Sequence, residues 1–245
     1  MRDQGYILVL SHMRGHTTVF AHLLASHPEI DGHVEQHWRY ETRADLVAMR
    51  ARIERHLGAP ARGAWLLDKL LHDRLLGSPA LLDRPDVRTV VLLRHPGATI
   101  ASQVRRSRTH AHVARYAEPR AAADYYIRRV GTIRSLVSRP GLRAHFVAAE
   151  SFVRDPATVL EPLAAWLGLS TPIPTTFRLF GNSGTQGWGD SSRYILSGRV
   201  LRDDERPAID TGPIDIPLDR LAAAVGAWQD LTEALTGARP SADPP

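Results

Sequence analysis

Near the start of the chain, between two apolar runs, lies Ser11-His12-Met13-Arg14-Gly15-His16-Thr17-Thr18, a polar segment bringing a guanidinium and two hydroxyls to the opening of a helix. Before it, Tyr6-Ile7-Leu8-Val9-Leu10 reads as a buried strand. After it, Val19, Phe20, Leu23 and Leu24 recur at helical spacing until His27-Pro28 stops them. The first amides of a helix have no partners within it and carry the positive end of its dipole. Strand, polar loop and helix in that order therefore build an anion site, to which Arg14, Thr17 and Thr18 add charge and donors.

A second unit of the same kind follows. Val87 to Leu93 is a clear strand ending at Arg94-His95-Pro96-Gly97, and a helix from about Ala98 carries Ser102, Arg105 and Arg106. Between the two units, Ala64 to Leu67 reads as a short strand ending in Asp68-Lys69, with a helical Leu70-Leu71-His72 segment after it. Polar residues just beyond the carboxyl end of a buried strand sit where open α/β sheets bind ligands.

These chemistry-bearing loops need a scaffold. Ala144 to Ala148 is a fourth strand, ending at Glu150, and Pro156 to Leu167 is a helix stopped by Gly168. Asp31-Gly32 marks a turn. Ala44 to Leu57 reads as a surface helix with Leu46, Val47, Ile53 and Leu57 on one stripe, and Arg120 to Val137 as a helix whose Tyr125-Tyr126 pair belongs to the core. Four apolar strands separated by helices imply an α/β three-layer sandwich around a central parallel sheet. A further helix is expected from Leu218 to Leu235. Residues 1–236 read as one domain and 237–245 as a disordered tail.

The 245 residues suffice for one substantial core, and 43% apolar with 23% charged is ordinary globular composition. With no cysteine the chain forms no disulfide and offers no thiolate ligand. The reading is of a cytoplasmic protein without a membrane anchor, since no apolar run approaches spanning length. A formal charge of +5 favours anionic ligands. Charges of both signs are interleaved and no basic-aromatic ladder occurs, so a nucleic-acid partner is not expected.

A phosphate-binding loop raises the question of nucleotides, yet the signature GxxxxGK[ST] is absent and the first loop holds no Lys. An ordinary kinase or ATPase, needing that Lys and a Mg²⁺ carboxylate, is disfavoured. The pairs His12/His16 and His33/His37 have zinc-like spacing, but they fall in loops, where spacing by four carries no geometry; no metal is expected.

Three ordered stretches carry a resemblance. Arg14 to Pro28 resembles the R-S-G-T-T-L-L…L-L…H-P segment that opens sulfotransferases using 3′-phosphoadenosine 5′-phosphosulfate (PAPS). Val90 to Ser102 is similar to that family's strand-R-D-P…S motif, with Arg106 at the place of its second Arg. Glu150-Ser151-Phe152-Val153-Arg154-Asp155-Pro156, with Leu160, Leu163 and Leu167-Gly168-Leu169, is similar to its Y-E-D-L…D-P…L…L-G-L stretch. The agreement covers roughly the first 170 residues. One departure is that Gly15-His16 replaces Ser-Gly, so His16 occupies the usual glycine position and is either part of a relaxed turn or itself a donor.

The resemblance implies a P-loop-like sulfotransferase fold and transfer of a sulfuryl group from PAPS to the hydroxyl of a small-molecule acceptor, without a metal. It places Arg14, Gly15, His16, Thr17 and Thr18 at the 5′-phosphate end of the donor and Arg94, Ser102 and Arg106 at its 3′-phosphate. Glu35 matches the general base, His37 is the rival base, and Lys69 matches the cation at the leaving oxygen, with a salt bridge to Asp68 or Asp73 as its plain alternative. The stretch Gly187-Trp188-Gly189-Asp190-Ser191-Ser192 sits where the family has a lid. A non-catalytic PAPS-binding module and an atypical nucleotide-dependent phosphotransferase remain as other readings.

Overall fold

The computed structural model describes residues 5–185, 193–202, 205 and 213–242. Five parallel strands form one sheet in the order β2-β3-β1-β4-β5: β1 Gly5–Leu10, β2 Ile30–Asp31, β3 Trp65–Leu70, β4 Val87–Leu93 and β5 Ala144–Ala148. The apolar run Tyr6 to Leu10 takes the centre, buried along its whole length between β3 and β4. Its alternate residues feed two cores, as a period of two requires. Ile7 and Val9 face α1 (Thr17–Ala25), α6 (Ala149–Arg154) and α7 (Pro156–Leu167) through Phe20, Leu23, Phe152 and Leu163. Leu8 and Leu10 face α4 (Pro96–Thr109), α5 (Pro119–Val137) and α8 (Leu218–Thr236) through Ile100, Tyr126, Val130 and Leu231.

The chain leaves β1 by α1 on one face and β4 by α4 on the other. Adjacent parallel strands whose helices depart to opposite faces leave a crevice at their carboxyl ends. Both Arg-bearing loops open into it.

Three expectations are corrected. The strand expected at Ala64 to Leu67 runs on to Leu70, so Asp68 and Lys69 are strand residues, and no helix forms at Leu70-Leu71-His72; a 3₁₀ turn, Asp73–Leu75, comes instead. The Asp68 carboxyl is tolerated there because the amides of Gln36 and Lys69 and the Tyr40 hydroxyl donate to it. Asp31 is not a turn residue but ends the edge strand β2, and its carboxylate accepts the amides of Arg62 (2.7 Å) and Gly63 (2.6 Å) ahead of β3. The turn falls on Gly32 (φ 113°), where a Cβ would strike the Leu67 carbonyl oxygen. The helix expected over Ala44 to Leu57 is interrupted at Ala48 into α2 (Arg43–Val47) and α3 (Met49–Leu57), which turns Val47 outward while Leu46 and Ile53 remain buried.

Arg239, beyond α8, pairs with Asp230 (2.9 Å) and Glu233 (3.0 Å), and the Ala242 carbonyl lies 3.2 Å from His95 Nε2. The stretch from Gly187 to Ser192 lies outside the described residues.

Candidate active site

The first loop is drawn tight by its own backbone. Ser11 Oγ donates to the Leu92 carbonyl (2.6 Å), tying the end of β1 to β4, and Arg14 and His16 both take left-handed conformations, φ 65° and 60°. The turn is therefore not relaxed at the position where the family has glycine. His16 adopts the glycine-like angles, at a cost on the order of 1 kcal/mol for a side chain there. Gly15 serves closeness instead: a Cβ would lie 3.0 Å from Ser11 Oγ and 3.1 Å from the His12 ring. His16 is the N-cap of α1 but its ring makes no capping bond, and no acidic residue lies in the first turn. The amides at the start of α1 carry the positive end of its dipole, with no acidic side chain beside them to offset it.

The second loop meets the first. Arg94 Nη1 donates to the Arg14 carbonyl (3.3 Å), and Arg14 Nε donates to Ser102 Oγ (3.0 Å) on the first turns of α4. Three residues separated by as many as 88 positions in sequence thus share one crevice. Arg106 lies one turn beyond Ser102 on the same side of α4, half-buried. Glu150 accepts the His95 amide at 2.7 Å and so fixes the start of α4, a role for its carboxylate that the sequence did not disclose.

On the other side of β1, the segment from His33 to Tyr40 crosses the end of β3. Asp68 is almost wholly buried and organises it: its Oδ1 accepts the amides of Gln36 (2.9 Å) and Lys69 (2.7 Å), and its Oδ2 accepts the Tyr40 hydroxyl (2.7 Å). Burial pushes the Asp68 carboxyl up to about 7 against the pull of those donors, and neighbouring Glu35 pushes the same way. Lys69 is equally buried but projects to the opposite face, the one that holds Leu67.

Glu35 follows directly from this anchoring. Its side chain is only 11% exposed, against 53% for His37, whose Nδ1 lies 3.4 Å from Glu35 Oε1. Among the described residues Glu35 Oε1 is buried without a hydrogen-bond partner. Burial raises the Glu35 pKa, opposed by the positive charges of Lys69, Arg74 and Arg129; burial lowers that of His37. A buried carboxylate under the influence of a neighbouring ammonium can accept a proton from a hydroxyl brought to it.

Four residues outside the sequence-derived set hold these parts together. Arg129 of α5, buried, donates through Nε to the Ser11 carbonyl (2.9 Å), through Nη2 to the Leu70 carbonyl (2.5 Å) and through Nη1 to Asp73 (2.7 Å), so it closes the ends of β1 and β3 on each other. Tyr125 and Tyr126 are core rings, as expected, but their hydroxyls reach the loops. Tyr125 accepts the Met13 amide (3.1 Å) and donates to the Leu71 carbonyl (3.1 Å), and Tyr126 donates to the Arg94 carbonyl (2.8 Å). His12 accepts the Arg94 amide. The signal available in sequence was only an Arg and two hydroxyls interrupting an otherwise apolar helical stripe. Among the described residues no group of three His, Asp or Glu side chains could hold a metal, and His33 Nε2 is engaged at 2.6 Å by Asn182 Oδ1.

This architecture, a parallel sheet with two arginine loops at the β1/β4 crevice, is the sulfotransferase fold. Two solved structures share it. The sulfotransferase domain from the curacin biosynthetic pathway superposes with a TM-score of 0.52 at 17% identity over 92% of this chain and 98% of that one. The sulfotransferase domain of the Synechococcus PCC 7002 olefin synthase superposes with a TM-score of 0.54 at 20% identity over 91% and 94%. No protein-family model and no curated protein matches the sequence. Among the described residues no helix is long and apolar enough to cross a membrane.

Proposed function

We propose that the protein transfers a sulfuryl group from PAPS to the hydroxyl of a small-molecule acceptor. The observation that carries this reading is the chain of contacts from Arg94 through the Arg14 backbone to Ser102, which joins two anion-binding loops in one crevice where the ends of one doubly phosphorylated nucleotide could be held. The dipole end at the start of α1 suits the 5′ end and Arg94, Ser102 and Arg106 the 3′-phosphate. PAPS supplies the activated sulfuryl group when bound. Glu35 takes the proton from the attacking hydroxyl, whose oxygen bonds to sulfur as the bond from sulfur to the bridging phosphate oxygen breaks. Lys69 neutralises the charge that collects on that oxygen, which departs with adenosine 3′,5′-bisphosphate. Glu35 rather than His37 is the base, because it is the more buried of the two and burial raises its pKa, whereas burial drives that of His37 down.

The test pairs binding with turnover. Isothermal titration in the absence of Mg²⁺ is expected to show tight binding of adenosine 3′,5′-bisphosphate, and ³⁵S-labelled donor offered with a panel of hydroxyl compounds is expected to give labelled product. Binding without any turnover would make the protein a nucleotide-binding module; binding only with Mg²⁺ and ATP would make it a phosphotransferase.

A further inference from the structure

We infer that His12 is a positioning residue for the donor crevice, holding the Arg94 backbone in place and through it the contacts that Arg94 makes with Arg14 and Arg14 with Ser102. This rests on the reading above that the crevice takes the phosphates of the donor.

The geometry fixes both the tautomer and the task. His12 is fully buried in the loop after β1, and its Nε2 lies 3.1 Å from the backbone nitrogen of Arg94. That nitrogen donates, so Nε2 carries no hydrogen, and the proton sits on Nδ1, which donates to the Met13 carbonyl at 2.9 Å. The ring also packs against Tyr126, with centroids 4.9 Å apart at 57°, and the Tyr126 hydroxyl donates to the Arg94 carbonyl at 2.8 Å. The N–H and the C=O of Arg94 are thus each held by a side chain, one from the β1 loop and one from α5, and the two side chains touch. With its backbone clamped on both sides, Arg94 starts from a fixed point, and its guanidinium spans to the Arg14 carbonyl.

The surroundings keep the ring neutral. Arg94 from the β4 loop and Arg129 from α5 both bear on it, and burial together with these two cations lowers the His12 pKa to about 4. The carboxylates of the surrounding network are engaged elsewhere, Glu150 by the His95 amide and Asp73 by Arg129. A second proton on His12 would point at the Arg94 N–H, donor against donor, with both arginines adding repulsion. A proline, serine or aliphatic side chain at this position could not accept the Arg94 amide, so the loop of this chain relies on an imidazole where only an acceptor of that reach will serve.

The experiment compares His12→Leu, which keeps the bulk but has no acceptor, with His12→Gln, whose Oε1 can reach the place of Nε2, and with Tyr126→Phe, which removes only the hydroxyl on the Arg94 carbonyl. Titration with adenosine 3′,5′-bisphosphate is expected to show wild type and His12→Gln within about threefold of each other, His12→Leu weaker by about tenfold or more, and Tyr126→Phe weaker by about fivefold. Nitrogen NMR of the wild-type imidazole at neutral pH is expected to show the proton on Nδ1. Equal binding by His12→Leu and wild type overturns the inference and leaves the donor reading intact, as does a proton on Nε2. Failure of the wild type to bind the nucleotide overturns the donor reading and the inference with it. Should His12→Leu not fold, Tyr126→Phe and the tautomer decide the matter.

Discussion

The two halves of the candidate site are built differently. On the proposed donor side, Arg14 and Arg94 lie in loops that each follow directly from a strand and lead directly into a helix, and Ser102 on the first turns of α4 joins them, so that the three hold one another. On the proposed acceptor side, Glu35 rides on a segment with little regular structure, including His37 at φ 51°, and is placed by Asp68 through the neighbouring amide of Gln36. The first half presents positive charge from backbone geometry that any strand-loop-helix unit supplies. The second depends on a carboxylate buried in a sheet and satisfied by groups drawn from elsewhere. In the proposed reading, anion binding is thus local in origin, whereas placement of the proposed base is a property of the assembled fold.

Glu35→Gln tests that division most sharply. It is expected to lower kcat by about 10²–10⁴ while leaving the affinity for adenosine 3′,5′-bisphosphate unchanged in the same titration; a parallel loss of affinity would join the two halves that the geometry separates. Arg129 touches both, through Ser11 and Leu70, and Arg129→Met is expected to destabilise the fold by about 3–5 kcal/mol in urea unfolding. A loss under 1 kcal/mol would remove it as the tie between them. Arg94→Ala belongs to the donor half alone and is expected to weaken nucleotide binding by about 1.5–3 kcal/mol, with the stronger salt dependence of the wild type diminished. Asp68→Asn belongs to the acceptor half, and should reduce kcat by about three- to tenfold with nucleotide affinity unaltered, because an amide can satisfy only part of the three-donor set.

The smallest effect is on stability against pH. His12, His33 and His72 are each lowered to about 4 by burial, so between pH 6.5 and about 4 the unfolded chain binds more protons at these sites and stability falls as the solution is acidified. Asp68, raised to about 7, runs the other way, since the folded chain retains its proton where the unfolded chain has lost it, and Glu35 shifts in the same direction. The three imidazoles outnumber the two carboxyls, and thermal unfolding followed by circular dichroism is expected to show Tm falling from pH 6.5 to 4.5. In Asp68→Asn, which lacks one opposing group, the fall should be steeper. A Tm that climbs on acidification would reverse the assignment of the buried imidazoles.

Much of the donor half was legible in the linear chain. The apolar run at Tyr6 to Leu10, the stripe of Phe20, Leu23 and Leu24, the stop of α7 at Gly168 and the strand at Val87 to Leu93 all fold as their spacing indicates, because each depends on neighbours within a few residues. The sequence also determined that Arg14 and Arg94 would stand at strand ends. It could not determine that they would meet, nor that a histidine would take the left-handed position beside a glycine needed for closeness. The strand expected to end at Asp68-Lys69 runs on to Leu70 for a related reason: charge in a sequence argues for solvent, and only the packed sheet, with Gln36 and Tyr40 brought to Asp68, makes that buried carboxyl tolerable. The same holds for Arg129, Tyr125, Tyr126 and His12. Helical periodicity tells which face of α5 is apolar, but not which carbonyl its guanidinium or hydroxyls will find. Those partners lie 32 to 118 positions away in the chain, and hydrogen bonding is directional over about 3 Å, so only the packed sheet and helices decide them.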